Sequence, residues 1–403
     1  MLHRFSWSFW YLVIGQALQS LALSAFSLGL IFLGFEESNP TGIGLVLAMR
    51  TLPTMMISLV GGVIADKYDR VKLASRTLIV SALLQFILAF CLLRYGLGWQ
   101  VYVISFITGL VSAFGAPSLY ALLPSIVPAE NNVRANAIAR GSRNVMSVIG
   151  PLLVGITIPT FGHNFLFYMV AVLMGVSGGF INSIRLTSPL GIKQGSDEAV
   201  PCQKLGLSGL NKKYPWFVLA ICFWSALLFL ESGAAAVTLP FVFLETWTQS
   251  QWALTLSVTS LGYIIGAIYL LRFPARSQLL SLSFLVFPLS IFPFLAVYLE
   301  LSFPIILVCC LIAGIGLEVS GSLWGSVLQT HVSQSEIGRV SSIDYAISFG
   351  LVPVAYIVYG MLSDVYSGDI VLVVSAGVIG ILSCSAAWCG RESRLLDFSS
   401  RKP

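Results

Sequence analysis

The chain has 403 residues, of which 57% are hydrophobic and 10% charged, with a formal net charge of +5. A soluble domain carries about 25% charged residues, so the polar surface here is too small to cover a water-soluble globule of this length. The surplus of Lys and Arg is confined to certain gaps between apolar stretches, which excludes a nucleic-acid-binding reading and makes it a signal of membrane topology.

An apolar helix needs about 20 residues to cross a ~30 Å hydrocarbon core. Twelve stretches reach or approach that length: Phe9–Leu33, Gly42–Ile64, Leu73–Leu93, Val101–Leu122, Ala137–Ile158, Phe165–Ile184, Trp216–Phe241, Trp252–Leu271, Leu279–Tyr298, Pro304–Gln329, Ile343–Met361 and Ile370–Gly390. The first is too long for the 7–15-residue apolar core of a cleaved signal, so it is expected to remain as a span. Twenty of the 22 Lys and Arg residues gather at every second gap. The intervening gaps hold Arg94 with Glu36, Glu37, Glu245, Glu300, Asp364 and Asp369. Positive loops stay cytoplasmic, so the alternation predicts an all-α, twelve-helix membrane protein with both termini in the cytoplasm.

The longest polar stretch, Arg185 to Pro215, divides the spans six and six. It predicts a six-helix bundle over residues 1–184, a cytoplasmic linker over 185–215 and a second bundle over 216–403. Halves of equal span number suggest an internal repeat. At an offset of 205, Gly61 falls on Gly266, Val127 on Val332, Arg134 on Arg339, Ile138 on Ile343 and Gly155 on Gly360. Parallel repeats of this kind build many secondary transporters, with the substrate near midplane between them.

The run Gly61-Gly62-Val63-Ile64-Ala65-Asp66-Lys67-Tyr68-Asp69-Arg70-Val71-Lys72 follows the second span. It resembles the signature loop of the major facilitator superfamily, with Asp69 where that pattern has its second glycine. The resemblance implies a twelve-span fold, alternating access and a cytoplasmic latch that includes Gly62, Asp66 and Arg70. The equivalent place in the second half, Leu270 to Arg276, has no aspartate, so one latch is expected. Leu122 to Pro128 with Arg134 and Asn136, and Gln329, His331 and Val332 followed by Gly338-Arg339-Val340-Ser341-Ser342-Ile343-Asp344, are similar to bacterial enterobactin, siderophore and drug exporters. The resemblance adds Arg134, Arg339 and Asp344 to the expected gate. Gly150-Pro151 with Gly155 partly resembles an element associated with antiporters.

A charge at the centre of a membrane helix costs roughly 2.5–3.5 kcal/mol or more, so Arg50, Glu231 and Glu318 are the strongest functional candidates. At 1.5 Å per residue they lie roughly 12, 15 and 21 Å below the outer ends of their spans. Each needs a partner, a water-filled cavity or its neutral form. They are expected in substrate binding or proton coupling; the structural alternatives are a fixed ion pair of Arg50 with a glutamate, or a brace from Glu318 to Arg339. Gln16 and Gln19 could reach a central cavity or bond a neighbouring helix. Trp10, Phe223, Trp224 and Trp324 could stack on a planar substrate or simply pack.

Seven cysteines, Cys202 in the polar stretch and the other six scattered through the spans, form neither a disulfide framework nor a Cys-x-x-Cys pair. Three histidines are too few for a proton relay or metal site. No phosphate loop, His-Glu-x-x-His or Gly-x-Ser-x-Gly is present, which argues against ATP hydrolysis, metalloprotease or acyl hydrolase chemistry. The expectation is a monomeric transporter of the cell membrane without a cofactor, exporting a small amphipathic molecule such as a siderophore or antibiotic against protons. The alternatives are an importer or facilitator of a small metabolite and, from another class, a channel or receptor.

Overall fold

A computed structural model describes residues 5–58, 69–127, 132–185, 213–272, 279–333 and 336–392, and the regular structure among them is helical. Helices α1 (Trp7–Glu36), α2 (Pro40–Ser58), α3 (Arg70–Tyr95), α4 (Trp99–Ile126) and α5 (Asn132–Asn182) precede the polar stretch. After it come α6 (Pro215–Gly233), α7 (Leu239–Thr246), α8 (Gln249–Arg272), α9 (Leu279–Val286), α10 (Phe292–Tyr298), α11 (Phe303–His331), α12 (Ile337–Gly350), α13 (Val352–Val365) and α14 (Gly368–Glu392). Among the described residues nine helices are long and apolar enough to cross a membrane.

One of these nine is the apolar part of α5, which doubles back. Gly162 has φ 78° and ψ 171° inside it, a conformation essentially reserved for glycine, so α5 is two legs joined at a sharp corner. Elsewhere proline shapes the spans. Pro293 has no N–H to offer the Leu289 carbonyl, which instead accepts from Phe292 at the end of the 3₁₀ turn Phe287–Ile291 between α9 and α10. Pro353 likewise sits just after the joint at Leu351 that separates α12 from α13. Between α6 and α7 the chain makes a π-turn, Ala234–Thr238.

Asp69, where the signature pattern has glycine, is the N-cap of α3. Its carboxylate accepts from the Val71 and Lys72 amides at 3.0 and 3.2 Å, satisfying two of the helix's orphan donors. The offset of 205 also reappears in the backbone. Val127 caps α4 with φ −114° and ψ 135°, and Val332 caps α11 with φ −104° and ψ 137°; each donates its N–H four residues back, to Leu123 and Leu328.

Helices of the first group pack on one another through α1, α3, α4 and both legs of α5. Phe9, Leu12, Val71, Leu78, Leu122 and Ile181 form a buried cluster that ties their ends together. In the second group α8 lies so close to α11 that a Cβ on Gly314 would stand 3.1 Å from Gly262 Cα, the small-residue contact that lets membrane helices approach. The two groups meet along two seams, α2 against α13 and the first leg of α5 against α8.

Candidate functional site

Both seams are stitched by hydroxyls and glycines. Along α5–α8, Ser250 Oγ donates to the Gly155 carbonyl at 2.8 Å, Ser257 Oγ to Val148 at 2.8 Å and Ser260 Oγ to Ser147 at 3.2 Å. Ser257 Oγ is also 3.1 Å from the Ala253 carbonyl on its own helix. A Cβ on Gly155 would meet that of Ala253 at 2.8 Å, and one on Gly360 would meet Thr41 Cα at 2.8 Å. Thr41 Oγ1 donates to Asp364 across the α2–α13 seam. Where α1 ends, Gln249 Nε2 donates to Glu36 at 3.1 Å and the rings of Phe35 and Phe241 lie 6.0 Å apart. These contacts join the two groups at the end of the molecule that carries Glu36.

At the opposite end, several contacts join residues of one group. Gln16 accepts from Arg143 and donates to the Leu119 carbonyl at 3.5 Å, so it is held among α1, α4 and α5. Glu336 accepts from Lys213 Nζ and Tyr214 Oη, both at 2.7 Å, and from Ser333 Oγ at 2.9 Å. The Lys213 hydrogen bond, with those of Tyr214 and Ser333, draws the Glu336 carboxyl down to about 2. A depressed pKa contributes stability above the usual carboxylate range, and that contribution is lost as pH falls through the folded value. The Tm of wild type should therefore exceed that of Glu336→Gln by a small, constant amount from pH 7 to about 5, as befits an exposed pair. The gap should close as pH approaches 2; a gap that persists there would sink this account.

Beside the α5–α8 seam lies a cavity of about 470 Å³, lined by Ser20, Ser24 and Ser27 of α1, Ser147 and Pro151 of α5, and Thr259, Ser260 and Tyr263 of α8, with Leu23, Leu28, Ile31 and Leu256. It is bounded by both groups and its polar lining is entirely of hydroxyls. Glu231, near the end of α6, is part-exposed and stands two residues from Gly233, against which the Tyr359 ring packs. Glu318 lies on α11. Its carboxylate accepts from Ser322 at 3.1 Å, and its Cβ would lie 3.1 Å from one on Gly266, a turn beyond Tyr263. The structure thus places Glu318 against α8, one turn from Tyr263 of the cavity wall.

Arg50 sits apart from them. Its guanidinium carbon is 4.3 Å from the centre of the Phe26 ring, a cation–π distance. Nη1 and Nη2 are buried without a hydrogen-bond partner, so among the described residues the fixed Arg50–glutamate pair does not form. Of the expected gate residues, Gly62 and Asp66 lie outside the described residues. Arg70 is the first residue of α3; Arg134 falls in the first turn of α5 and Arg339 in that of α12, and the side chains of Arg134 and Arg339 lie outside the described set. Asp344 accepts from Trp324 Nε1 at 3.2 Å and from Ser348 at 3.0 Å. Trp324 in turn stacks on Trp224 at 5.3 Å, so both rings are committed to packing.

That packing makes a test of the Asp344 bond. Trp324→Phe keeps the stack but removes one of the two donors to Asp344, and a hydrogen bond to a charged group contributes about 1.5–3 kcal/mol. The melting temperature of the solubilised variant should fall; an unchanged value would show that water serves Asp344 instead.

The tyrosines and the serine-lined wall were not anticipated from the sequence. One signal was available: Ser20, Ser24 and Ser27 recur at four and three residues, a polar stripe on one face of an otherwise apolar helix. Closed seams between two helix groups and a cavity bounded by both describe a polytopic membrane transporter rather than a rigid scaffold. The family model of the Major Facilitator Superfamily matches residues 12–353. The chain belongs to that superfamily and is a multi-pass membrane transporter. Among curated proteins it is 22% identical over 371 residues to macrolide efflux protein A of Streptococcus pyogenes, covering 88% of this chain and 89% of that one. It is 23% identical over 350 residues to the staphyloferrin A transporter of Staphylococcus aureus, covering 81% and 82%. Among solved structures, the nucleoside transporter NupG superposes with a TM-score of 0.76 at 13% identity, over 96% of this chain and 99% of that one. A bacterial homologue of the iron transporter ferroportin in its inward-facing state gives 0.72 at 15% identity, over 96% and 99%.

Proposed function

We propose that this chain is a proton-coupled exporter of a small amphipathic molecule, working by alternating access. The observation that carries the reading is the hydroxyl-lined cavity of about 470 Å³ bounded by both helix groups, with Glu318 packed against α8 one turn from Tyr263 of its wall and Glu231 near the end of α6. A proton and a substrate that compete for such an acid are coupled. Sequence kinship with an efflux protein and a siderophore transporter supports export of an amphipathic cargo.

In this reading the chain forms twelve spans in two six-helix bundles, residues 1–184 and 216–403, joined by the linker 185–215. The two legs of α5 then count as separate spans, and the runs α6–α7, α9–α10 and α12–α13 as composite ones. Both termini are cytoplasmic, which makes the Glu36 end the outer face and the described state closed outward. Gly62, Asp66, Arg70, Arg134, Arg339 and Asp344 form the cytoplasmic latch that closes when the outer seams part. The transporter acts as a monomer in a bacterial cytoplasmic membrane.

The test is accumulation of a fluorescent lipophilic cation and of a panel of iron chelates in cells with and without the protein, before and after collapse of the proton gradient. Lower accumulation that recovers on collapse is the expected result. No difference for any compound would overturn the exporter reading in favour of an importer or facilitator and call for a metabolite screen.

A further inference from the structure

We propose that the cavity wall is a hydrogen-bond acceptor surface centred on the Ser147 carbonyl, and that it takes cargo presenting an O–H or N–H donor on an apolar frame. This rests on the transporter reading above and specifies the chemistry of its cargo.

The acceptor is made by a proline. Within an α-helix the Ser147 carbonyl would receive the N–H four residues on, but that residue is Pro151, inside the first leg of α5, and proline has no N–H to give. Pro159 does the same to Gly155. Carbonyls freed in this way within a membrane helix are met by hydroxyls of neighbouring helices, and here both are met from α8. Ser260 Oγ donates to Ser147 and Ser250 Oγ to Gly155, at 3.2 and 2.8 Å. Two prolines and two serines thus stand in register across the α5–α8 seam. The third cross-seam acceptor, Val148, is different, because Leu152 has an N–H of its own.

The two freed carbonyls differ in what can replace serine when α8 withdraws. At 1.5 Å per residue Gly155 lies roughly 5 Å below Ile158 at the outer end of its span, where water enters as the seam parts, whereas Ser147 lies roughly 16 Å below it. Ser147, Pro151 and Ser260 all line the cavity, so the donor at hand for the deeper carbonyl is the cargo's. A buried carbonyl left unmet is costly. A cargo donor that takes the place of Ser260 therefore offsets the loss of the seam contact.

The rest of the wall has the same bias. A hydroxyl carries one proton and two lone pairs. Those of Ser27, Ser147 and Thr259 commit their protons to carbonyls of their own helices, Leu23, Asn144 and Thr255, at 3.1, 2.7 and 2.9 Å, which leaves lone pairs for a ligand. Ser20, Ser24 and Tyr263 can turn to either role. The lining contains no Lys, Arg, His, Asn, Gln or Trp and so no side-chain N–H, which leaves acceptors in excess of donors.

β-Naphthol and its methyl ether share a ring system and differ by one donor. Equilibrium binding of each to the purified full-length transporter in lipid nanodiscs, less that to empty nanodiscs, isolates the donor's effect. β-Naphthol should bind roughly three- to tenfold more tightly, the span of one net hydrogen bond. Pro151→Ala supplies the Ser147 carbonyl with an N–H from its own helix and should remove most of that preference. Pro159→Ala takes a proline from the same helix away from the cavity and should leave the preference as in wild type. Ser260→Ala removes the competing hydroxyl and should tighten β-naphthol while leaving the ether unchanged, which keeps the test open should Pro151→Ala fail to fold. Equal binding of the two compounds by wild type, an undiminished preference in Pro151→Ala, equal loss in both proline variants, or weaker β-naphthol binding by Ser260→Ala would overturn the site. If neither compound binds while proton-driven efflux of another is measured in cells, the acceptor wall falls and the transporter reading stands; efflux of nothing at all counts against that reading itself.

Discussion

Gly360→Val should hold the transporter out of the state described here. The space beside Gly360 is occupied by backbone, with Thr41 Cα 2.8 Å and the Pro40 carbonyl oxygen 3.0 Å from where a Cβ would stand. Backbone atoms cannot rotate aside as a side chain can, so α2 and α13 must separate, and the Thr41–Asp364 bond goes with them. Overpacking of this kind costs about 1–3 kcal/mol. Because only the closed seam carries that cost, the population should move about tenfold or more toward the form open at the Glu36 end. The exposed residues Ser38 and Ser367 are suitable positions for a pair of spin labels, whose separation should lengthen in Gly360→Val and transport should fall with it. Gly377→Val is the control, since a Cβ there meets nothing within 4 Å. An unchanged label distance in Gly360→Val would refute the role of this seam.

Glu231→Gln is the second large effect expected. Glutamine keeps the shape of the side chain but cannot gain or lose a proton, so gradient-driven movement of substrate should drop by roughly 5–150-fold, the span of ordinary coupling energies. Glu318→Gln should do less. Its carboxylate already has Ser322 as a donor and rests on α8 beside Gly266, so an amide can fill much the same place. Proton flux recorded with an internal dye during substrate counterflow separates the two variants. Full coupling in Glu231→Gln with loss in Glu318→Gln would reverse the assignment.

The spans themselves were legible because hydropathy in a bilayer is a single strong constraint. The offset of 205 proved informative about particular backbone positions. Val127 and Val332 are matched helix caps, and Gly155 and Gly360 each lie in one of the two seams. The intramembrane acids could be picked out because their burial is costly. The cavity wall could not, since serine and tyrosine are unremarkable in an apolar helix and only the packing of α1, α5 and α8 brings Ser20, Ser147 and Tyr263 to one cavity. The corner at Gly162 and the π-turn after Gly233 were equally hidden, because one glycine among 36 carries no mark of its φ angle. Asp69 shows the reverse case, in which a departure from a family pattern is explained by a cap.

The twofold reach of Ser257 bears on how a membrane protein can come apart at a polar interface without being stranded. Its hydroxyl has one proton and two carbonyls at 2.8 and 3.1 Å, one on the opposing helix and one on its own. When α5 withdraws, the proton can turn to Ala253 without a water molecule having to enter. The bond count on α8 is then the same in both states, so this part of the interface contributes little to either and leaves the balance to substrate and proton.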